Sequence, residues 1–332
     1  MRGFINKSIV LISIVSGLIL SADLSAASLP SEVSVDYSYY NPLSLVIKKF
    51  KWLEKEFETE HVPIRWVFTP GSNLALKYLK DDSVNVSSSA SLSSVLSRAS
   101  GNRIKAVYVF ARPEWVALLV NRDSPINSMN DLKGKRIAVT PGTDPYFFLL
   151  RALREAGMHK EDVEIVPLQH TDGRTALERK NIDAWSAVQP YAGMSQLENG
   201  SRVIYRNVLY NSYGVLNVSV DFANKYPEAM LRVLSVYEKA RKWALRHPDD
   251  LEVIYAEEAK VPLAVSRLVL SKYDFFNPVI DRNDMAMLRV ASRVLKEERL
   301  ISPDTDLEKV IPDLVDRNFI LKVISADSSS SR

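Results

Sequence analysis

The clearest sign of chemistry in this sequence is a loop that could hold an anion. The run Pro141-Gly142-Thr143-Asp144-Pro145 lies between the strand-forming residues 136–140 and a segment, 146–156, whose apolar residues recur at near-helical spacing. This order predicts a strand, a tight loop and a helix, with Thr143 or Asp144 as the N-cap and the second proline at the first helical position. Free N–H groups and the positive end of the helix dipole suit such a loop to an anion, although most loops of this kind bind nothing.

Residues for catalysis or metal binding do not form a recognisable group. The four histidines lie far apart and lack a metal-binding spacing such as H-E-x-x-H: His61, His159, His170 and His247. The chain has no cysteine and no G-x-S-x-G, G-x-x-x-x-G-K or G-x-G-x-x-G motif. His170 falls in a predicted strand-to-helix loop, where it could face a cleft, but we interpret it as a surface histidine. We therefore expect no enzyme, no metal and no cofactor.

The elements that must position these residues alternate between strand and helix over roughly 200 residues, which is typical of α/β units with largely parallel sheets. The pattern predicts one helix over 43–57, strands at 84–87 and 184–188, and a helix over 174–179. Towards the end the chain is mostly helical, with helices predicted at 227–246, 249–258, 263–272 and 283–298.

Four predicted loops share one position relative to the sheets. In an open α/β sheet, ligands bind beyond the carboxyl ends of the strands, where the loops converge. The loops with that position carry small, hydroxyl-bearing or aromatic residues: Tyr39–Pro42, Ser88–Ser91, Gly142–Asp144 and Gln189–Tyr191. Such a mixture offers hydrogen-bond donors to one end of a ligand and apolar surface to the other. We therefore expect a pocket for a small polar organic molecule.

The first residues have the composition of a secretory signal peptide. Arg2 and Lys7 precede an apolar run from Ile9 to Leu20, and small residues follow at Ser25-Ala26-Ala27. The run is too short to span a membrane, so we expect export with cleavage near Ala26. An exported chain without cysteine has neither disulfides nor a lipid on an N-terminal cysteine, so we expect a soluble protein of the periplasm.

The charge balance argues against two classes of partner. The chain carries 43 Lys and Arg against 40 Asp and Glu, a formal net charge of +3 that is spread along the sequence. So small an excess does not favour binding to nucleic acid or to a membrane surface. With 332 residues and 46% hydrophobic content the chain can bury a large core, and two lobes are expected.

Several short motifs, taken in order, point to a family. The chain resembles the periplasmic substrate-binding proteins of ABC importers of the nitrate, taurine and alkanesulfonate type, and the resemblance covers nearly all of the mature chain. It rests on these runs: Asp123-Ser124-Pro125-Ile126, Asp131 to Val139, Leu149 to Leu153, Ala176 to Arg179, Ile182 to Trp185, Gln189-Pro190-Tyr191 and Asp221 to Glu228. Their order and spacing carry more weight than any single run.

The resemblance implies an α/β, two-lobed fold of the periplasmic-binding-protein type (type II), with a hinge of two crossover strands and a helical C-terminal part. The boundaries would be a signal peptide at 1–26, lobe 1 at 27–118 and 215–324, lobe 2 at 119–214, and a disordered tail at 325–332. The resemblance also implies a small-molecule ligand and an inner-membrane permease as partner. We expect a monomer that binds no nucleic acid.

The resemblance further implies where the ligand is held. The corresponding positions lie in or near the four loops and at the return crossing: Tyr40, Asn41, Pro42, Ser89, Ala90, Ser91, Gly142, Thr143, Asp144, Trp185, Gln189, Tyr213 and Gly214. Relatives commonly have an Asp or another residue in place of Gln189, so the sequence departs from the family pattern at a pocket position.

One acid and several aromatic residues bear on the ligand class. Asp144 either caps its helix or points into the cleft, where it would oppose a bare anion and suit the amine or hydroxyl end of a bifunctional ligand. The aromatic residues offer more apolar surface than nitrate can use, which favours a sulfonate or a taurine-like zwitterion: Tyr39, Tyr40, Trp185, Tyr191 and Tyr213. A sensory protein that presents its ligand to a receptor, and a small-molecule enzyme on the same fold, remain alternatives.

Overall fold

The computed structural model describes residues 29–330, which form two β-sheets flanked by helices. The signal peptide expected at 1–26, and the last two residues of the chain, lie outside the described residues. Within 29–330, no helix is both long and apolar enough to traverse a lipid bilayer.

The strands are short, and several are buried along their whole length, as expected for sheets covered by helices on both faces. They are β1 (Val33–Tyr37), β2 (Ile64–Phe68), β3 (Val86–Ala90), β4 (Ile104–Pro113), β5 (Val116–Val120), β6 (Arg136–Val139), β7 (Glu164–Pro167), β8 (Ala184–Val188), β9 (Arg202–Tyr205), β10 (Gly214–Ser219) and β11 (Tyr273–Asp274).

Most helices connect successive strands, and the last eight follow β10. They are α1 (Pro42–Phe50), α2 (Trp52–Glu56), α3 (Ser72–Lys80), α4 (Ser91–Ala99), α5 (Asp144–Glu155), α6 (His170–Glu178), α7 (Tyr191–Asn199), α8 (Val220–Lys225), α9 (Pro227–Arg246), α10 (Pro248–Ala259), α11 (Leu263–Leu270), α12 (Arg282–Ala291), α13 (Arg293–Glu297), α14 (Leu307–Leu314) and α15 (Asn318–Ser330). The helix predicted at 227–246 is confirmed with those bounds.

Both sheets are mixed rather than largely parallel. The first has the order β11-β4-β10-β3-β1-β2, with β1 parallel to β2 and β3, and β10 antiparallel to β3 and β4. The second has the order β7-β6-β8-β5-β9, with β6 parallel to β7 and β8, and β5 antiparallel to β8 and β9. The antiparallel pairs arise because the chain leaves the first sheet between β4 and β5 and returns between β9 and β10.

The core follows from the two-residue period of the strands. In β5, Leu118 and Val120 pack into one cluster, whereas the alternate residues Ala117 and Leu119 pack into another, because successive side chains point to opposite faces. The first sheet has a larger core to which α9 contributes buried apolar residues such as Tyr237. Each sheet is therefore covered by apolar helix faces, which leaves the loops at strand ends free to form a site.

Several boundaries differ from the sequence prediction. The helix predicted over 43–57 is divided at Lys51, whose φ of 53° is left-handed and redirects the chain so that Leu53 and Phe57 are buried. The strand predicted to end at residue 87 continues to Ala90, because its backbone pairs with β10 as far as Gly214. Backbone pairing here outweighs the loop-like composition of the serine run.

In the segment predicted from the sequence to be a disordered tail, α15 extends through Ser330. Ile320 and Val323 are buried in the first core, so the helix is held by packing rather than by its own propensity. Lys242 and Asp327 add an ion pair of 2.8 Å.

Candidate ligand-binding site

Residues that follow strands of both sheets meet around a small cavity, named the inter-sheet cavity below. Its volume is ≈ 20 Å³, enough for about one water-sized group. The lining residues come from loops, helix starts and strand ends: Tyr40, Gly71, Ser72, Ala90, Trp115, Thr143, Asp144, Pro145, His170 and Val188.

Three helices begin at this cavity without a side-chain cap. The N-caps are Gly71 for α3, Thr143 for α5 and Gln169 for α6, and none of these three helix starts has a capping side-chain hydrogen bond. The first N–H groups of a helix have no partner inside the helix and carry the positive end of its dipole. Because α3 follows the first sheet and α5 and α6 follow the second, both sheets direct positive potential at one point.

The start of α4 differs from these three, although Ala90 lines the same cavity. The Ser91 N–H donates to the Tyr213 carbonyl at 2.7 Å, and the Leu92 N–H donates to Ser212 Oγ at 3.3 Å. The segment before β10 therefore occupies donors that a ligand could otherwise use.

The remaining walls are apolar ring faces. The rings of Tyr40 and Trp115 are 6.1 Å apart and nearly perpendicular. Their polar atoms are already used, since Tyr40 Oη donates to the Ser88 carbonyl at 2.9 Å and Trp115 Nε1 donates to Asp144 Oδ2 at 2.7 Å. None of the ten lining residues is Lys or Arg. The cavity thus combines neutral hydrogen-bond donors with apolar surface.

Asp144 lines the inter-sheet cavity but does not cap its helix. Its side chain makes no capping hydrogen bond, and both carboxylate oxygens are occupied by donors from the crossing segments. Besides Trp115 Nε1, the Ser212 N–H donates to Oδ2 and Ser212 Oγ donates to Oδ1, each at 2.8 Å. Burial raises the pKa of Asp144, while the hydrogen bonds from Ser212 and Trp115 oppose the shift. The acid therefore ties α5 to both crossings and holds the Trp115 ring in place.

His170 is buried, so its interpretation as a surface histidine is wrong. It is the first residue of α6, which begins four residues earlier than predicted, and its side chain is 3% exposed. Its Nδ1 lies 3.1 Å from Thr140 Oγ1. Burial lowers the pKa of His170 to about 4, so the ring is neutral near pH 7.

A buried acid fixes the loop that carries Tyr40. Asp36 Oδ1 accepts from the Ser88 N–H at 2.8 Å and from Ser88 Oγ at 2.9 Å, and Oδ2 accepts from Thr69 Oγ1 at 2.7 Å. Asn41 Nδ2 in turn donates to Ser88 Oγ at 2.8 Å. Burial raises the pKa of Asp36 to about 7, while these donors oppose the shift. Asn41 therefore positions the loop next to the cavity.

Four of the thirteen predicted ligand contacts line the inter-sheet cavity, namely Tyr40, Ala90, Thr143 and Asp144. The other nine lie outside its lining: Asn41, Pro42, Ser89, Ser91, Gly142, Trp185, Gln189, Tyr213 and Gly214. As ligand contacts, all thirteen stay predictions.

Three of these outlying positions have packing or turn roles that the structure makes plain. Trp185 is buried against α6, where a methyl group on Gly173 would lie 2.6 Å from its Nε1. Gly214 lies against the Phe110 ring, and a methyl group there would come within 2.2 Å of it. Gln189 Oε1 accepts from the Gly193 N–H at 2.9 Å, inside the first turn of α7.

Two predicted residues, Ser91 and Tyr213, line a different hollow, named the apolar groove below. Its volume is ≈ 370 Å³, and it lies between the segment before β10, α12 and Arg151. The Tyr213 ring stacks under the Arg112 guanidinium, and its hydroxyl lies 2.9 Å from Met287 Sδ.

Six lining residues were missed by the sequence reasoning: Gly71, Ser72, Trp115, Pro145, His170 and Val188. Gly71 and Ser72 lie at the start of the helix after β2, and His170 at the start of the helix after β7, whereas the prediction placed the site after β1, β3, β6 and β8. The turn at 70–73 and the position of His170 between strand and helix were visible signals. Both segments follow strands at the edge of a sheet. The sequence does not show which of these edges faces the other sheet, because this depends on how the two sheets meet.

The helices of the two sheets also meet away from the cavity. Met194 of α7 packs in one cluster with Val265 of α11. Arg154 of α5 pairs with Glu297 of α13, and Lys160 pairs with Glu298 at 3.2 Å. Among the described residues, no group of three or more acids and histidines is arranged to hold a metal ion.

A family model described as NMT1/THI5 like matches residues 57–251 of the chain. The chain belongs to the NMT1/THI5-like family. Its relatives include two putative aliphatic sulfonates-binding proteins. That of Bacillus subtilis (strain 168) is 26% identical over 288 residues and covers 86% of each chain. That of Escherichia coli (strain K12) is 25% identical over 294 residues, 87% of this chain and 91% of the relative. The taurine-binding periplasmic protein of Escherichia coli (strain K12) is 30% identical over 138 residues, 40% of this chain and 42% of its own.

Solved structures of low identity show the fold. The alkanesulfonate-binding protein SsuA from Xanthomonas axonopodis pv. citri bound to MOPS has a TM-score of 0.78 at 22% identity, covering 88% of this chain and 100% of that one. A Candida albicans protein described as having the generic periplasmic binding protein fold has a TM-score of 0.68 at 14% identity, covering 87% and 97%. The desulfurization enzyme DSZB reaches 0.65 at 17% identity, covering 89% and 99%. The family predicted from the sequence is confirmed, and so is the predicted α/β fold of the periplasmic-binding-protein type.

Proposed function

We propose that this protein is the substrate-binding protein of an ABC importer and captures a small organic anion or zwitterion of the sulfonate class in the inter-sheet cavity. The observation that carries the proposal is the meeting of three uncapped helix starts from both sheets, with Tyr40 and Trp115 beside them. Backbone N–H groups suit the oxygens of a monoanion, and the rings suit a short carbon chain. The sulfonate-binding and taurine-binding relatives support the same ligand class.

The energetics require all three helix starts. One helix start contributes roughly 0.3–2 kcal/mol to holding an anion, whereas micromolar affinity needs about 8 kcal/mol. Three such ends supply up to about 6 kcal/mol, and hydrogen bonds and ring contacts supply the rest. Because the lining has no Lys or Arg, the protein binds by dipoles and shape, which favours a singly charged headgroup over a phosphate dianion.

Capture and release depend on a change in the angle between the sheets. A cavity of ≈ 20 Å³ cannot admit an organic sulfonate as it stands. Entry therefore requires contacts such as that between α7 and α11 to separate, with bending at the two crossings near Trp115 and Ser212. The liganded, closed form would then dock on a membrane permease in the periplasm, as a monomer.

The protein is proposed to bind rather than to transform its ligand, although the fold is shared with a desulfurization enzyme. Both oxygens of Asp144 accept hydrogen bonds from Trp115 and Ser212, and Nδ1 of His170 is paired with Thr140. Incubation with alkanesulfonates should leave each compound unconsumed. Turnover by purified protein would contradict this part of the proposal.

A thermal-shift titration of the chain from about residue 27 tests the proposed function. The panel is nitrate, taurine, alkanesulfonates, aromatic sulfonates and small carboxylates. A ligand at a hundred times its Kd stabilises by about 2.7 kcal/mol, which raises the midpoint of a protein of this size by several degrees. We expect a selective shift with a short aliphatic sulfonate. A panel without any shift would contradict the sulfonate class.

A further inference from the structure

The hydrogen bonds of His170 determine which of its ring nitrogens carries the proton. Thr140 Oγ1 donates its single hydrogen to the Leu168 carbonyl at 2.7 Å, because a carbonyl oxygen can only accept. Towards His170 Nδ1, at 3.1 Å, the same oxygen must therefore accept. His170 is thus the tautomer with hydrogen on Nδ1, and its Nε2 carries a lone pair.

No hydrogen bond to this lone pair is found among the described residues, and His170 and its neighbour Gly71 both line the inter-sheet cavity. His170 is 3% exposed, and the side-chain hydrogen bond that it makes is through Nδ1. A methyl group placed on Gly71 would lie 3.0 Å from His170 Nε2 and 3.0 Å from Asn73 Oδ1. The Asn73 oxygen is itself buried and unpartnered within the described residues. The two acceptor atoms are therefore at most about 6 Å apart and lie on the side of Gly71 from which a side chain would project.

The two acceptors belong to different sheets. Asn73 lies on α3, which follows the first sheet, and His170 begins α6, which follows the second. The helix starts around them offer donors, so the cavity needs a ligand with an anionic group and, at its other end, hydrogens to donate. A bare alkanesulfonate would leave both acceptors unpaired, and an unpaired buried polar group is costly.

We propose that His170 Nε2 and Asn73 Oδ1 form an acceptor pair that selects sulfonates carrying an ammonium group and joins the two sheets through it. This inference rests on the proposed function and specifies its ligand. An ammonium group has three hydrogens and can donate to both acceptors at once. A hydroxyl group has one and can donate to only one of them, and a methyl group can donate to neither. The zwitterion considered from the sequence is thus supported by His170, not by Asp144.

Calorimetric titration with three sulfonates of equal length tests the pair. The three compounds differ only at the end away from the sulfonate. 2-Aminoethanesulfonate (taurine) carries an ammonium group there, 2-hydroxyethanesulfonate a hydroxyl group and propane-1-sulfonate a methyl group. We expect the amine to bind tightest, the alcohol about tenfold more weakly and the alkane about tenfold more weakly again, in line with the loss of one hydrogen bond at each step. Equal affinity for all three overturns the inference, and it is the result expected if the amide nitrogen of Asn73 donates to His170.

Two variants separate the roles of the acceptors. Asn73→Ala should lower the affinity for the amine to about that of the alcohol, a change of about tenfold, while the alkane changes little. Thr140→Val keeps the shape of Thr140 but removes the acceptor for Nδ1–H, so His170 becomes free to carry its hydrogen on Nε2. The amine preference should then fall by about tenfold, although the histidine is still present. An unchanged preference in both variants contradicts the proposal.

A spectroscopic readout keeps the test independent of affinity. The ¹⁵N resonances of His170 should show a protonated Nδ1 and an unprotonated Nε2 in the free protein at pH 7, and Thr140→Val should change this pattern. Binding of propane-1-sulfonate with uptake of one proton, measured in two buffers of different ionisation enthalpy, would contradict the acceptor role.

If none of the three sulfonates binds, the proposed function itself fails, whereas equal binding leaves it intact and removes only the role of His170.

Discussion

The inter-sheet cavity, which we propose as the binding site, is much smaller than the apolar groove. The groove is ≈ 370 Å³, lined mainly by apolar side chains, with Val290 58% exposed at its edge. The cavity is ≈ 20 Å³, but three uncapped helix starts and an unpartnered histidine nitrogen meet there. Of these two hollows, the cavity is the one where helix starts from both sheets meet, and a site for a small charged ligand requires hydrogen-bonding groups of this kind.

The two hollows are connected through one buried acid. Ser212 lines the groove and donates twice to Asp144, which in turn accepts from Trp115 at the cavity. The crossings are also joined by Asn211, whose Oδ1 accepts from the N–H groups of Trp115 and Val116 at 3.0 and 2.8 Å. These hydrogen bonds therefore connect the groove to the cavity.

The largest expected effect follows from breaking this connection. Asp144→Ala leaves Trp115 Nε1 and two Ser212 donors unpaired in a buried place, so we expect a loss of about 3–5 kcal/mol in the free energy of unfolding. Urea denaturation measures it, with Asp144→Asn as the matched control that keeps an acceptor and should lose less. A loss under about 1 kcal/mol would show that these hydrogen bonds do not hold the crossings.

The neutral state of His170 predicts how stability depends on pH. Its pKa is lowered from 6.5 to about 4 by burial, so the folded protein binds fewer protons than the unfolded chain between these values. Above pH 6.5 His170 makes its full contribution to the free energy of unfolding. This contribution is lost as the pH falls through about 4, by about 3 kcal/mol in total. We expect the pH profile of the unfolding free energy of His170→Gln to lack this component. Parallel profiles for the two proteins would contradict a neutral buried histidine.

A methyl group on Gly71 should weaken binding and leave the fold intact. Gly71 has an extended backbone with φ −172°, which alanine adopts without strain, but the new methyl group would lie 3.0 Å from both Asn73 Oδ1 and His170 Nε2. We expect Gly71→Ala to weaken taurine binding about 30-fold, or about 2 kcal/mol, with a thermal midpoint close to that of the parent. Wild-type affinity in this variant would place the ligand elsewhere.

The smallest effect is expected in the groove. Met287 is 43% exposed there, so Met287→Ala removes a partly exposed side chain and should change taurine affinity less than about twofold, or under about 0.5 kcal/mol. It serves as the matched control for Gly71→Ala in the same calorimetric titration. If Met287→Ala weakened binding as much as Gly71→Ala, the assignment of the two hollows would be reversed.

Much of the fold could be predicted from the sequence, because local patterns determine it. The apolar periodicity of 227–246 and the strand pattern of 184–188 gave helix α9 and strand β8 with their observed bounds. Predictions that depended on distant partners were weaker. The serine run of β3 forms a strand because β10 pairs with it. The helix through Ser330 is held because Val323 is buried in a core that also contains residues as distant in sequence as Val33.

The site was predicted in part for the same reason. The loop at Thr143 could be recognised from its own residues, and the structure places it at the cavity. The role of Asp144 depends on Ser212, which lies 68 residues away, and that of His170 depends on Thr140 and on Gly71 from the other sheet. No local pattern encodes these pairings, since they arise only when the two sheets face each other.

A crystal structure of the protein with taurine tests the central claim most directly. We expect the sulfonate oxygens to lie within hydrogen-bond distance of the backbone nitrogens that begin α3, α5 and α6, with the ammonium group between Asn73 and His170. A sulfonate held in the apolar groove, or held by arginine or lysine side chains instead of helix starts, would contradict the account.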